Sequence, residues 1–271
     1  MTANSTKNSS FAGVKSLDEL LEGTGIKSSD IIDEVEYNSN MQYHEFEDYE
    51  DGSHEYDDDP YDEELFFALH SNYESLIDDM SDDEKEDFQE WAEGWFMDGQ
   101  IYRGFSNMSG TEQKMVRTYD KYLDRSYINE GITLSRRATP ELLGLSKNAN
   151  PSLEQLKRMR GKLIVSKGNL STAAAQTGLT IGYGGEKPIE YKIHIPEGAR
   201  GAGMWIGDYE INGWGGKQRE FMTNRDSMYV IGNSTIEKRP TYDFFGMPTD
   251  RERDVQVVHL YYVGRLPHDY S

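Results

Sequence analysis

Gln218 and Glu220 stand two apart at the start of a predicted strand, so both side chains point to one side of it. The stretch before them, Gly213-Trp214-Gly215-Gly216, is a glycine-punctuated turn with an aromatic on it. An amide beside a carboxylate, at the mouth of a loop that glycines loosen, has the makings of a catalytic edge. The same pattern fits a plain hairpin with polar residues on its wet face. Arg136-Arg137 ends another predicted strand, where a guanidinium offers a rigid fork of donors. By composition the two arginines are equal candidates, and either also fits a surface strand end. Ser171-Thr172 sits on a third predicted strand, a pair common in strands of every kind.

Strands must carry these residues, and the second half of the chain supplies them. Ser16 to Leu21 and Ser29 to Val35 read as short helices, and Asp62 to Asp79 as a longer one with Leu65, Leu69, Tyr73 and Leu76 at helical spacing. Ser81-Asp82-Asp83-Glu84 is a capping box opening a helix through Phe88, Trp91, Trp95 and Phe96 to about Gly99. Thr111 to Arg125 repeats the period through Met115, Tyr119, Tyr122 and Leu123. Then the texture changes. Gly131 to Arg137 is a strand, Thr139-Pro140 a capped turn, and Pro151 starts a helix that Gly161 stops. Lys162–Val165, Gly168–Ala173, Ile189–Ile195, Gly203–Ile206, Arg219–Met222, Ser227–Ile231 and Val255–Val263 read as strands. Helices followed by many short strands predict an α+β fold.

The charge is uneven. Residues 1–78 carry 21 acids and 3 bases, a net of −18, out of −21 for the chain. Tyr37 to Asp62 is acid-dominated with little aliphatic surface, and it reads as linker or disorder. The predicted organisation is therefore an acidic, partly disordered extension with short helices over 1–78, and a globular domain over 79–271. The near-neutral remainder offers no bulk case for binding nucleic acid. There is no cysteine, which excludes disulfides, thiolate catalysis and cysteine zinc sites. His44, His54, His70, His194, His259 and His268 show no metal-ligand spacing, so no metal is expected. No apolar run approaches the roughly 18 residues that span a bilayer, and Met1 to Phe11 has no apolar core of a secretory signal. A soluble protein, without membrane insertion, is expected; the compartment stays open.

Ile132-Thr133-Leu134-Ser135-Arg136-Arg137-Ala138 followed by Pro140-Glu141-Leu142-Leu143-Gly144 resembles the arginine strand of the exotoxin-type mono-ADP-ribosyltransferases. Asn169-Leu170-Ser171-Thr172-Ala173 resembles their Ser-Thr-Ser strand, and Gln218-Arg219-Glu220 their Gln/Glu-x-Glu motif. Order and spacing match the Arg–Ser–Glu class, and Met80 to Lys85 with Trp91 resembles the preceding helix, so the likeness covers roughly 79–271. It implies N-terminal helices packed on a split two-sheet β core. It also implies a monomeric, metal-free enzyme that cleaves NAD at the nicotinamide–ribose bond and passes ADP-ribose to a host protein or, ranked behind it, a nucleic acid. Toxin, effector and phage-encoded enzyme are all open.

The resemblance also assigns roles. Breaking that bond builds positive charge on the ribose, which a preorganised carboxylate, Glu220, stabilises. Arg136 rather than Arg137 holds the pyrophosphate or ribose edge, Ser171 orients Glu220 by a hydrogen bond, and Thr172 supports its strand. Gln218, donor and acceptor at once, orients the acceptor nucleophile, and Trp214 contacts the target. Gly182-Tyr183-Gly184-Gly185 falls at the phosphate–nicotinamide loop. The departures are Ala173 at the third position of the Ser-Thr-Ser strand, Leu170 where an aromatic is usual, and Gln218 where arginine-modifying members have glutamate. The last points to a non-arginine acceptor. The alternative is a catalytically silent member of the fold that binds a partner through its acidic segment.

Overall fold

The computed structural model describes residues 43–45, 73–93, 105–174, 189–205, 220–242, 248–268 and 270. Residues 73–78 are helical, and α1 (Asp82–Glu93) follows. The predicted capping box forms: Ser81 N donates to Glu84 Oε2 at 3.0 Å and Glu84 N to Ser81 Oγ at 3.3 Å. A second box, Ser109 with Glu112, starts α2 (Gly110–Leu123). Tyr119 packs edge-on against Phe88 at 5.8 Å between ring centroids and donates to Asp87 O at 2.6 Å, joining α2 to α1. Met115, Val116, Tyr122 and Leu123 continue the buried stripe. Each such apolar side chain contributes about 1.5–3 kcal/mol through burial.

The strands are β1 (His44–Glu45), β2 (Ile132–Ala138), β3 (Leu163–Ser166), β4 (Leu170–Ala173), β5 (Ile189–Ile195), β6 (Gly203–Trp205), β7 (Glu220–Thr223), β8 (Ser227–Tyr242) and β9 (Pro248–Arg265). A short helix, α3 (Leu153–Lys157), precedes β3 behind its own Ser152–Gln155 capping box. The strand order is β3-β8-β9-β5-β2-β4-β7-β6, with β1 added parallel to β2. The α+β class is as expected from the sequence.

Where a split into two sheets was expected, the described strands are hydrogen-bonded into one. The joint between its two parts is narrow: β2 meets β4 at the register pair Ser135↔Ala173. On the Ile132 side of that pair, past the end of β4 at Ala173, β1 pairs with the edge of β2 at Ile132 and Thr133. So His44 and Glu45, inside the stretch read as linker, are a strand instead. The local composition is acidic, and the free edge of β2 supplies the pairing that the composition does not suggest.

Two further strands outrun their sequence signal. β8 and β9 extend for 16 and 18 residues, well beyond Ser227–Ile231 and Val255–Val263. Their outer halves are rich in charge and carry Pro240 and Pro248, which mask a strand. At β6, Gly203 has φ +151°, and a Cβ there would lie 2.3 Å from Met222 O, so glycine lets β6 close on β7.

The C-terminal end is clasped to α2. Arg225 forks onto Asp120 at 2.9 and 2.7 Å and reaches Asp226 at 3.1 Å, while Tyr270 donates to Asp120 Oδ2 at 2.8 Å. Arg265 pairs with Asp124 at 2.6 Å.

Candidate active site

Three strands bring the motif residues together. Ser135 on β2 lies opposite Ala173 on β4, and Ala173 lies opposite Glu220 on β7. Residues directly opposite in an antiparallel pair share a face, and so do residues two apart on a strand. Ser171 therefore lies on the same face as Ala173, Glu220 and Met222. Across the joint, Arg136 Nη1 donates a hydrogen bond to the backbone carbonyl of Ser171. Both residues are half-buried. Thr172, on the opposite face of β4, is buried and donates to Phe221 O at 2.6 Å, tying β4 to β7 beside Glu220.

Geometry separates the two arginines that composition could not. Along β2, Ile132, Leu134 and Arg136 alternate with Thr133, Ser135 and Arg137. The first set begins in the hydrophobic core beside Ile193 and Ile195 and ends with Arg136 opposite Tyr191. Burial pushes the Tyr191 phenol up, and the Arg136 charge opposes that shift.

The second set forms a ladder of polar cross-strand pairs with β5. Thr133 Oγ1 is 2.9 Å from His194 Nδ1, Lys192 Nζ donates to Ser135 Oγ at 2.9 Å, and Arg137 Nε donates to Glu190 Oε2 at 3.2 Å. The Arg137 and Glu190 side chains are both 0 % exposed. Glu190 also accepts from Arg239, from Nη2 at 2.9 Å and Nε at 3.2 Å, and Lys192 Nζ stands 4.0 Å away. A buried carboxylate needs such donors to offset its lost hydration. Arg137 is thus held inside, and Arg136 stands at the joint.

His194 continues the ladder to β9, with Nε2 2.8 Å from His259 Nδ1 and the two rings stacked at 5.1 Å. Tyr43, just before β1, packs against His194 at 5.0 Å. Burial, then the neighbouring His259 and Lys192, drop the His194 pKa to about 3, so it is neutral. Sequence reasoning missed Glu190, Lys192 and His194. Their period-two spacing in Ile189–Ile195 was visible, but it reads equally as a wet strand face.

Gln218, Trp214 and the 182–188 loop lie outside the described residues, and Glu220 is described through its backbone. Among the described residues, no group of histidine and carboxylate side chains could hold a metal ion. No described helix is long and apolar enough to cross a membrane.

The chain is similar in fold to bacterial toxins. Plx2a, an ADP-ribosyltransferase toxin from Paenibacillus larvae, superposes with a TM-score of 0.56 at 17% identity, over 74% of this chain and 96% of that one. C3stau2 from S. aureus, solved with NAD, gives 0.55 at 13% identity, over 83% and 100%. The enzymatic component C2-I of the Clostridium botulinum C2-toxin gives 0.58 at 14% identity, over 75% of this chain and 48% of that one, so this chain spans about half of C2-I. No curated protein sequence matches significantly. Residues 71–255, which include all three motif strands, match the family described as ADP-ribosyltransferase exoenzyme, and the chain belongs to that family of NAD-dependent enzymes.

Proposed function

We propose that the protein is a mono-ADP-ribosyltransferase of the Arg–Ser–Glu class, with a Gln-x-Glu motif, that modifies a non-arginine acceptor on a host protein. The observation that carries this reading is the hydrogen bond from Arg136 to the Ser171 carbonyl, with Glu220 on the next strand over. NAD as co-substrate is supported by family membership and by the relative solved with NAD.

The donor chemistry suits that substrate: the planar guanidinium fork that Arg136 carries matches a pyrophosphate. The bond that breaks joins ribose C1′ to the nicotinamide nitrogen. Its electron pair leaves with nicotinamide, and the ribose gains positive charge. Glu220 sits beside that sugar and stabilises the charge, while the Ser171 hydroxyl, on the same face, orients the carboxylate. Thr172 keeps β4 fixed on β7. Gln218 directs the acceptor nucleophile to C1′, and Trp214 contacts the target. Gln218 in place of glutamate favours an acceptor other than arginine, because a neutral amide offers no anion to a guanidinium.

Release of nicotinamide from labelled NAD tests the reading. Activity that Glu220→Gln lowers by a factor on the order of 10²–10³ supports it. A correctly folded protein that binds no NAD by calorimetry overturns it in favour of a catalytically silent interaction module.

A further inference from the structure

We propose that Glu190 is a positioning residue for NAD chemistry, acting on Arg136 through its two chain neighbours, Ser135 and Arg137. The inference rests on the reading of Arg136 as the arginine that holds NAD. Arg136 lies between two residues whose side chains leave the other face of β2, and both are tied to β5. Arg137 is bound to the Glu190 carboxylate directly. Ser135 is bound to Lys192 Nζ, which stands 4.0 Å from the same carboxylate. Ser135 is also the residue through which β2 meets β4. One buried anion therefore anchors the backbone on both sides of Arg136, at the joint where the sheet is narrowest.

A carboxylate is the group this position requires. Oε2 accepts from Arg137 Nε while Oε1 accepts from Arg239 Nη2 at 2.9 Å, and Arg239 Nε spans both oxygens at 3.2 and 3.4 Å, so both oxygens are used as acceptors. A glutamine of the same shape keeps one acceptor oxygen and turns an N–H₂ group toward a guanidinium, setting donor against donor. The charge matters as well. Arg137, Lys192 and Arg239 surround Glu190, and neutralising it leaves three cations around a site with no formal charge. The relief open to them is movement of β2 relative to β5. Such movement carries Arg136 away from Ser171, and displacements of about 1 Å at a reacting group cost on the order of 10²-fold in rate.

A thermodynamic cycle between Glu190 and Arg136 tests this. NAD affinity by calorimetry, together with KM and kcat for nicotinamide release, is measured for wild type, Glu190→Gln, Arg136→Lys and the double variant. We expect Glu190→Gln to weaken NAD binding and raise KM about tenfold in the wild-type background. In the Arg136→Lys background it should cost less than about threefold, because the group it positions is gone. A merely structural role would lower the folded fraction and kcat with KM unchanged, or cost the same factor in both backgrounds, and either result overturns the proposal. If Glu190→Gln does not fold, Lys192→Met takes its place, since it cuts the Ser135 branch alone. A raised KM that Arg136→Lys suppresses supports the proposal, and an unchanged KM overturns it. Wild-type NAD affinity in Arg136→Lys itself would instead sink the reading of the site on which the inference stands.

Discussion

The guanidinium of Arg136 donates to the backbone carbonyl of Ser171, while its neighbour Arg137 is closed inside the sheet against Glu190. Adjacent residues of one type thus meet opposite environments, because a strand sends successive side chains to opposite faces.

The two arginines should therefore fail differently. Arg136→Lys keeps a charge but loses the planar fork, and NAD affinity should fall roughly 10- to 100-fold, the loss of one or two charge-assisted hydrogen bonds. Its melting temperature should stay within a few degrees of wild type, since Arg136 is half-buried. Arg137→Met leaves the Glu190 carboxylate buried with a partner missing, which costs about 3–5 kcal/mol of stability. Thermal unfolding and NAD titration of both variants check this. Equal loss of stability in the two would contradict the separation.

That separation marks how far the sequence can be read. β2 and β4 are legible as strands because Ile132, Leu134 and the Ser171-Thr172 pair lie in short β-branched or apolar runs between turn residues. The capping box at Ser81 is local, and it forms as written. Pairing across the chain is another matter. β1 sits in an acidic run, and its reason to be a strand is the edge of β2, nearly ninety positions away. The polar ladder was equally hidden, because Thr133, Ser135 and Arg137 alternate as a solvated face would. Only the partners on β5 reveal that this face is buried.

Gln218 and Glu220 should divide the reaction between them. If Gln218 orients the acceptor, Gln218→Ala stops transfer and largely spares NAD hydrolysis, because cleavage of the glycosidic bond relies on Glu220 and Arg136. Glu220→Gln stops both. The assay compares nicotinamide release with incorporation of labelled ADP-ribose into host lysate. Equal loss of both activities in Gln218→Ala would put Gln218 on the NAD side of the reaction.

The strand at His44–Glu45 bears on truncation. Deleting residues 1–60 removes β1 with the acidic run, uncovering the β2 edge at Ile132 and Thr133 and the His194 ring against which Tyr43 packs. Deleting residues 1–42 leaves both in place. The longer deletion should melt several degrees lower than the shorter one. Identical melting of the two truncations would show that β1 adds nothing measurable.

The C-terminal clasp should make stability depend on pH through His268. Both ring nitrogens face carboxylates: Nε2 lies 3.0 Å from Asp124 Oδ1 and 3.3 Å from Asp120 Oδ1, and Nδ1 lies 3.4 Å from Asp226 Oδ2. A neutral imidazole has one N–H, so a single proton cannot serve both sides, and the protonated ring can. Burial alone would push the His268 pKa down, and Arg225 opposes protonation, yet the bonds to Asp124 and Asp226 and the charge of Asp120 outweigh them, so it is raised. Burial likewise pushes Asp124 up, but His268, Arg265 and Asn224 bring it below the usual range. For a group whose folded pKa is raised, the stabilisation is whole below its unfolded pKa, about 6.5, and is lost as pH climbs through the folded value. For Asp124, with its pKa lowered, the contribution is present above about 3.9 and fades as pH falls through the folded value. The window in which both act fully lies between them, near pH 5 to 6. His268→Gln should therefore destabilise most in that window and progressively less toward pH 9, as thermal melts of the two proteins across that range would record. A difference in melting temperature that is flat with pH would mean that His268 sits neutral among the three carboxylates.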